Sequence, residues 1–126
     1  MLYHYTFNTY SGINILDDMK IRNFLLKIFN DIAKNKGFKI IECEILEDHV
    51  HMLTDQPYSI STSSAMKYIK GASARCLFKE CPTNRSDIRK LWARSYNFRK
   101  ITEKQKEKVI NYIKGQRDMQ GIDKRY

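Results

Sequence analysis

The chain has few of the residues that divide or cross-link a protein: two prolines, five glycines and three cysteines among 126 residues. No repeat and no stretch rich in proline or glycine interrupts it, so the sequence predicts one domain over residues 1–126. Cys43, Cys76 and Cys81 form no Cys-x-x-Cys pair, which argues against a zinc ribbon or a disulfide framework. We expect them to be small buried hydrophobes in a reducing cytoplasm.

Long apolar runs and negative charge are also scarce. No run approaches the ~18 residues that cross a bilayer, and the first residues lack the layout of a secretory signal. The sequence therefore predicts neither a membrane span nor secretion, and favours a cytoplasmic location. The chain has only 14 acidic residues but 23 Lys and Arg. The resulting net charge of +9 favours a polyanionic partner such as nucleic acid.

Hydrophobic periodicity and breaker residues predict the element order β-α-β-β-α-β-α. The first six elements match the ferredoxin-like arrangement, an α+β fold with a four-stranded antiparallel sheet, and an additional C-terminal helix follows them. The predicted strands are Leu2–Thr9, Phe38–Leu46, His49–Thr54 and Leu91 to about Arg99, and the predicted helices run from Asp17 or Asp18 to Gly37, over Ser61–Glu80 and from Thr102 to Gln116–Met119.

Local sequence signals support the first and the last of the predicted helices. The first has an apolar stripe at helical spacing, formed by Ile21, Phe24/Leu25, Ile28 and Ile32. Thr102 followed by Gln105 has the spacing of a capping box, which opens the last helix. We expect the first two helices to cover the apolar face of the sheet, with the other face open or covered by the last helix.

Glu47 and Asp48 separate the second and third predicted strands and favour a tight turn. Leu46 then lies opposite His49, and cross-strand partners share a face, so a one-residue slip would exchange the two faces. In this register the apolar face carries Ile41, Cys43, Ile45, Val50 and Met52, and the mixed polar face carries Ile40, Glu42, Glu44, Leu46, His49, His51 and Leu53.

His49 and His51 are two of only three histidines in the chain. Residues two apart on a strand point the same way, so the two imidazoles form a platform for one cation. A pair of sheet histidines without any ligand is the alternative interpretation. His4 is interpreted as a hydrogen-bonded sheet residue. The last helix offers better candidates for a third ligand, since Tyr112 and Gln116 are four apart and share a side, although residue types alone are also typical of packing there.

Three motifs taken together resemble a known family: Asp48-His49-Val50-His51-Met52-Leu53, Trp92-x-x-Ser95-Tyr96 and Tyr112-Ile113-x-x-Gln116. Their order and spacing are similar to those of the single-tyrosine HUH transposases (TnpA type) of small insertion sequences that move as single-stranded DNA. The resemblance implies metal-dependent cleavage and rejoining of single-stranded DNA through a phosphotyrosine intermediate. It implies Tyr112 as the nucleophile, a metal held by His49, His51 and Gln116, a homodimer, and element ends that form hairpins.

The expected metal is Mg²⁺ or Mn²⁺. Imidazole ligands by themselves favour zinc, nickel, copper or iron, whereas the resemblance implies Mg²⁺ or Mn²⁺ with phosphate oxygens completing the shell. Basic residues are expected to hold the DNA, and the Lys70-Gly71-x-Ser73 stretch resembles one that contacts DNA in relatives. The candidate DNA-binding residues are Lys67, Lys70, Arg75, Lys79, Arg94 and Arg99.

Two other functions fit parts of the sequence. A non-catalytic ferredoxin-like nucleic-acid-binding module would present aromatic side chains on its open face, whereas histidines and glutamates are expected there. Another HUH nuclease, such as a replication initiator or relaxase, would share the histidine pair, but the small size and the lack of a helicase region disfavour it.

Overall fold

The computed structural model describes residues 1–80 and 90–116 of the chain. In these ranges four strands form one sheet and three α-helices accompany it. The strands are β1 (Leu2–Asn8), β2 (Lys39–Ile45), β3 (His49–Asp55) and β4 (Asn97–Ile101), and the helices are α1 (Met19–Lys36), α2 (Thr62–Glu80) and α3 (Lys106–Lys114).

The sheet has the strand order β2-β3-β1-β4, and each neighbouring pair is antiparallel. This order confirms the predicted ferredoxin-like α+β fold. The main core lies between one face of the sheet and helices α1 and α2. Its fully buried members include Tyr5 on β1, Met52 on β3, Leu25 on α1 and Ile69 on α2.

The β2–β3 hairpin has the predicted register next to its turn. The backbone N–H of Leu46 donates to the carbonyl of His49 at 2.8 Å, and Ile45 pairs with Val50. Farther from the turn, a register shift between Ile40 and Glu42 reverses the predicted orientation of two neighbours. Ile40 packs against the main core and Ile41 against the opposite cluster, so the prediction for these two residues was wrong.

Helix α1 begins and ends where the sequence indicates. The side chain of Asp18 accepts a hydrogen bond from the backbone N–H of Lys20 at 2.8 Å, and Gly37 ends the helix with φ 90°, a conformation that favours glycine. The predicted stripe is displaced beyond Leu25, because Phe29 and Ala33 are buried whereas Ile28 and Ile32 are only partly buried.

The fourth strand is shorter than predicted and begins later. Trp92 forms only an isolated bridge with Thr9, and the regular ladder begins at Asn97. Trp92 is nevertheless buried, and its indole Nε1–H donates to Ser73 Oγ on α2 at 2.9 Å. The indole therefore joins the segment before β4 to α2.

Helix α3 covers one end of the other face of the sheet. The Gln105 side chain accepts from the backbone N–H of Thr102 at 2.9 Å, as the capping box predicts. The regular helix spans Lys106–Lys114, and Gln116, the first of the predicted end positions, is again helical; Met119 lies outside the described residues. Val109 and Ile113 of the helix are buried in a second apolar cluster with Leu2, Leu53 and Ile101.

Cysteine burial is less complete than predicted. Cys43 and Cys76 are free and partly buried, and Cys81 lies outside the described residues. None of the helices in residues 1–80 and 90–116 is long and apolar enough to cross a membrane.

Candidate active site

The face of the sheet that α3 occupies has an apolar end and a polar end. Strand pairing places Thr6 opposite His51, and Asn8 opposite His49. On the other side of β1, Asn97 pairs with Thr6. Because cross-strand partners share a face, these side chains gather beyond the apolar cluster under α3. The histidine pair thus lies at an inner strand of the sheet, as the sequence predicts.

His49 is oriented by its neighbour at the hairpin turn. Its Nδ1 lies 2.8 Å from Oδ1 of Asp48, and the imidazole is almost completely buried. A carboxylate is only an acceptor, so Nδ1 of His49 carries the proton and donates. The Nε2 atom of a neutral His49 is then the one with a lone pair.

His51 is oriented by β1. Its Nδ1 lies 3.2 Å from Nε2 of His4 and 3.4 Å from Oγ1 of Thr6. Its Nε2 is buried and has no hydrogen-bond partner in the part of the chain that is described. Burial, with smaller contributions from His49 and His4, lowers the pKa of His51 to about 4. The ring is therefore neutral at physiological pH, the form that binds metals.

Tyr112 reaches the histidines from α3 of the same chain. Its ring centroid lies 5.8 Å from that of His51 and 5.9 Å from that of His4, edge-on in both cases. The rings of His49 and His51 are 5.2 Å apart. Tyr112 is 49% exposed, so a phenol next to buried imidazoles remains open to a large substrate.

Gln116 lies one turn beyond Tyr112 and is completely buried. Its Nε2 donates to the backbone carbonyl of Tyr112 at 3.2 Å. The amide is thus fixed to the segment that carries the phenol, but it does not line the open space next to the histidines.

Two adjoining clefts of about 570 and 770 Å³ open over this polar end. Thr6, His51, Asn97 and Tyr112 contribute to both, so the histidine and the phenol stand where the clefts meet. The smaller cleft is also lined by Arg99 and Lys108. The two clefts meet at His51 and Tyr112, so a chain lying along both clefts passes beside these two side chains.

The residues present fit a divalent cation in part. Two neutral imidazoles presenting Nε2 into one region are a typical pair of metal ligands. In the described ranges, no three His, Cys, Asp or Glu side chains form a group that could hold a metal. A third protein ligand from these ranges would therefore be of another chemical type, and an amide such as that of Gln116 satisfies this condition.

The predicted DNA-binding residues separate into two groups. Lys67, Lys70, Arg75 and Arg94 line one groove between α2 and the segment before β4, whereas Arg99 faces the clefts at Tyr112. Lys79 is exposed on the last turn of α2 and lines neither. The groove floor is apolar and includes the partly buried Tyr96 ring, with Lys70 Nζ 5.8 Å from its centroid.

Lys70 also has a structural contact. Its ammonium donates to the backbone carbonyls of Arg94 and Ser95 at 3.1 and 3.2 Å. Burial lowers the pKa of Lys70. Lys70 thus connects α2 to the segment before β4. It helps to set the shape of the groove and also contributes a positive charge to it.

The sequence predicted His4 as a hydrogen-bonded sheet residue, and the structure confirms this, but the sequence did not predict its partner, His51. The signal for His4 was available: two residues before Thr6 on an alternating strand, it shares the face of His51 once β1 is placed next to β3. For Asp48 the sequence predicted a turn, and the structure shows that its carboxylate also accepts a hydrogen bond from His49.

Two solved structures that superpose on this chain are described as transposases. A Deinococcus radiodurans R1 protein assigned as a transposase superposes with a TM-score of 0.74 at 27% identity, over 92% of this chain and 90% of that chain. A REP-associated tyrosine transposase bound to a REP hairpin superposes with a TM-score of 0.72, over 95% of this chain and 68% of that chain. Its identity is 15%, so this second likeness shows the fold alone.

Sequence comparison assigns the family. Residues 1–116 match the family described as "Transposase IS200 like", and the chain belongs to that family. It is 31% identical to the ISDra2 transposase TnpA of Deinococcus radiodurans, over 79% of this chain and 72% of the relative. It is 33% identical to the IS200 transposase of Salmonella typhimurium over 71% of this chain, a match that spans 59% of that protein.

Proposed function

We propose that the chain cuts and rejoins single-stranded DNA, with the Tyr112 phenol as nucleophile and a divalent metal bound by His49, His51 and Gln116. The observation that carries the proposal is the position of the half-exposed Tyr112 ring, 5.8 Å from the ring of His51, at the junction of two open clefts. Membership of a transposase family supports the same activity.

Cleavage follows as a substitution at phosphorus. The Tyr112 oxygen attacks the scissile phosphate, a new oxygen–phosphorus bond forms, and the bond to the 3′ oxygen of the DNA breaks. The phenol proton is lost and the leaving 3′ oxygen gains one, which gives a free 3′-OH and a 5′-phosphotyrosine. Because the phosphotyrosine is still a diester, the 3′-OH of another DNA end can displace Tyr112 by the reverse reaction without an external energy source.

The side chains of this chain position and stabilise that reaction. His49 and His51 present Nε2 atoms, and neutral ligands leave the charge of a bound cation intact. Mg²⁺ or Mn²⁺, when bound, would act as a Lewis acid on a non-bridging phosphate oxygen. Arg99, in the cleft beside Tyr112, would hold a neighbouring phosphate of the strand.

The groove between α2 and the segment before β4 would hold DNA outside the reacting phosphate. Four of its lining residues are cations from the predicted set, and its apolar floor suits the faces of unpaired bases. The REP hairpin belongs to a structural neighbour, and we propose a hairpin-bearing single strand as the ligand here as well. The homodimer implied by the resemblance stays a prediction, since Tyr112 already lies beside the histidines of its own chain.

A labelled single strand carrying a hairpin, incubated with the protein and Mn²⁺, tests the proposal. We expect a covalent protein–DNA adduct on a denaturing gel, lost on chelation and in Tyr112→Phe. Tyr96→Phe is the matched control, and it should retain the adduct. Binding that is sensitive to salt, with no metal-dependent product from any strand tested, would instead support a non-catalytic binding module.

A further inference from the structure

His4 lies beside both His51 and Tyr112. Strand β1 places it two residues before Thr6, diagonal to His51 on β3. Its Nε2 is 3.2 Å from Nδ1 of His51, and the two rings lie 5.4 Å apart at a tilt of 34°. The same ring meets the edge of Tyr112 at 5.9 Å. One imidazole thus contacts both a proposed metal ligand and the proposed nucleophile.

The contact between His4 and His51 has two possible directions, with opposite consequences. A neutral imidazole carries its hydrogen on one nitrogen only. If Nδ1 of His51 accepts from His4, then Nε2 of His51 carries the hydrogen and cannot bind a metal. If Nδ1 of His51 donates to His4, then Nε2 of His51 keeps a lone pair directed away from β1.

The neighbouring histidine has the second arrangement, with its Nδ1 as the donor. Nδ1 of His49 faces the Asp48 carboxylate, which can only accept, so Nε2 of His49 bears the lone pair. In metal sites the second nitrogen of a ligating histidine almost always donates to a carboxylate, carbonyl or water that fixes its tautomer. Among residues 1–80 and 90–116, the groups at Nδ1 of His51 are His4 Nε2 at 3.2 Å and Thr6 Oγ1 at 3.4 Å, and no carboxylate of these ranges is hydrogen-bonded there.

We propose that His4 is a positioning residue, which accepts the Nδ1–H of His51 through its own Nε2 and thereby keeps Nε2 of His51 available for the metal. The inference rests on the proposed function. His4 itself is not a ligand through Nε2, because that atom is occupied by His51. His4 also limits rotation of the His51 ring, and its own ring packs edge-on against Tyr112.

The tautomer of His51 can be measured without metal or DNA. Long-range ¹H–¹⁵N spectra of the imidazoles, recorded at a pH where all rings are neutral, distinguish Nδ1–H from Nε2–H, and the chain has only three histidines to assign. We expect His51 to carry the hydrogen on Nδ1 in the wild type. In His4→Phe, which removes the acceptor, we expect Nε2–H to appear.

Metal affinity gives the second readout. Removal of a partner of this kind typically weakens metal binding 10–100-fold, so we expect a loss of that order for Mn²⁺ in His4→Phe by titration calorimetry. His4→Gln, whose amide oxygen can accept from His51, should recover most of the affinity. Thr6→Val removes only the longer contact and should stay within a few-fold of the wild type.

The outcomes separate the two proposals. Nε2–H on His51 of the wild type, or Mn²⁺ binding that His4→Phe leaves unchanged, would overturn the role of His4 while the metal site stands. A wild-type chain that binds no Mn²⁺ would contradict the proposed function itself. If His4→Phe does not fold, the spectrum of the wild type still decides, because Nε2–H on His51 there contradicts the acceptor role of His4.

Discussion

Tyr112 meets His51 edge to face, with the ring centroids 5.8 Å apart and the planes at 84°. The two residues come from different layers, since His51 is on a central strand and Tyr112 on the helix that covers the apolar end of the same face. The relationship joins a buried imidazole to a phenol that is open to solvent. The contact depends on how α3 packs against the sheet and on how His51 is oriented. Its use in a reaction depends on access through the two clefts. Mutations can change each of these three features separately.

Loss of either proposed histidine ligand should slow DNA cleavage without weakening DNA binding. We expect His49→Ala and His51→Ala to lower the cleavage rate by more than the roughly 100-fold seen for outer-shell partners of metal sites. Affinity for a hairpin-bearing strand without metal should change little, because the basic groove is elsewhere. Gel-shift and cleavage assays on the same preparations measure both, and cleavage at the wild-type rate in either variant would remove the histidines from the mechanism.

The basic groove should supply salt-dependent affinity. Each cation that neutralises a phosphate of a single strand contributes ~0.7 to the slope of log affinity against log salt, so Arg75→Ala and Arg94→Ala should each flatten that slope by about this amount. Lys39→Ala is the control, because Lys39 is exposed on β2, the opposite edge of the sheet from β4. Equal slopes for all three variants would exclude the groove as the binding surface.

The hydrogen bond between Trp92 and Ser73 should contribute measurably to the free energy of unfolding. Ser73→Ala leaves the buried Nε1–H of Trp92 without its acceptor, which costs about 1–3 kcal/mol. Urea denaturation should show this loss in the free energy of unfolding. Ser63→Ala, at an exposed position on the same helix, should stay within about 0.5 kcal/mol of the wild type. A neutral Ser73→Ala would mean that another group satisfies the indole.

The second apolar cluster should hold α3 against the sheet. Ile113 is fully buried there, and Ile113→Ala should cost about 2–5 kcal/mol. Because α3 contacts the sheet through few buried residues, the loss should appear first as faster amide hydrogen exchange across Lys106–Lys114, together with slower adduct formation. Asn111→Ala, an exposed neighbour, is the control. Unchanged exchange in α3 would contradict this role for the cluster.

The sequence was sufficient for element order because each helix and strand carried its own signal. Asp18, Gly37 and the Thr102–Gln105 pair mark helix ends through local chemistry that tertiary packing did not override. The alternation around Val50 likewise set the register of the hairpin, since a slip would have buried the polar face.

Other features depended on contacts that are distant along the chain. Ile40 and Ile41 are the same residue type, so no local pattern reveals the register shift that sends them to opposite faces. The sequence predicted Trp92 within the fourth strand. Its indole instead donates a hydrogen bond to Ser73 on α2, and the residue lies before the regular ladder. The hydrogen bond between His4 and His51 could not be predicted until the order of the strands was known.

Mass spectrometry of the covalent product tests the central claim most directly. After reaction with a single strand and Mn²⁺, nuclease trimming and trypsin digestion, the nucleotide remnant should lie on the peptide of residues 109–114, at Tyr112. That peptide is distinct from the one of residues 95–99, which contains Tyr96. A remnant on Tyr112 is the predicted result, and a remnant on Tyr96 or any other residue would contradict it.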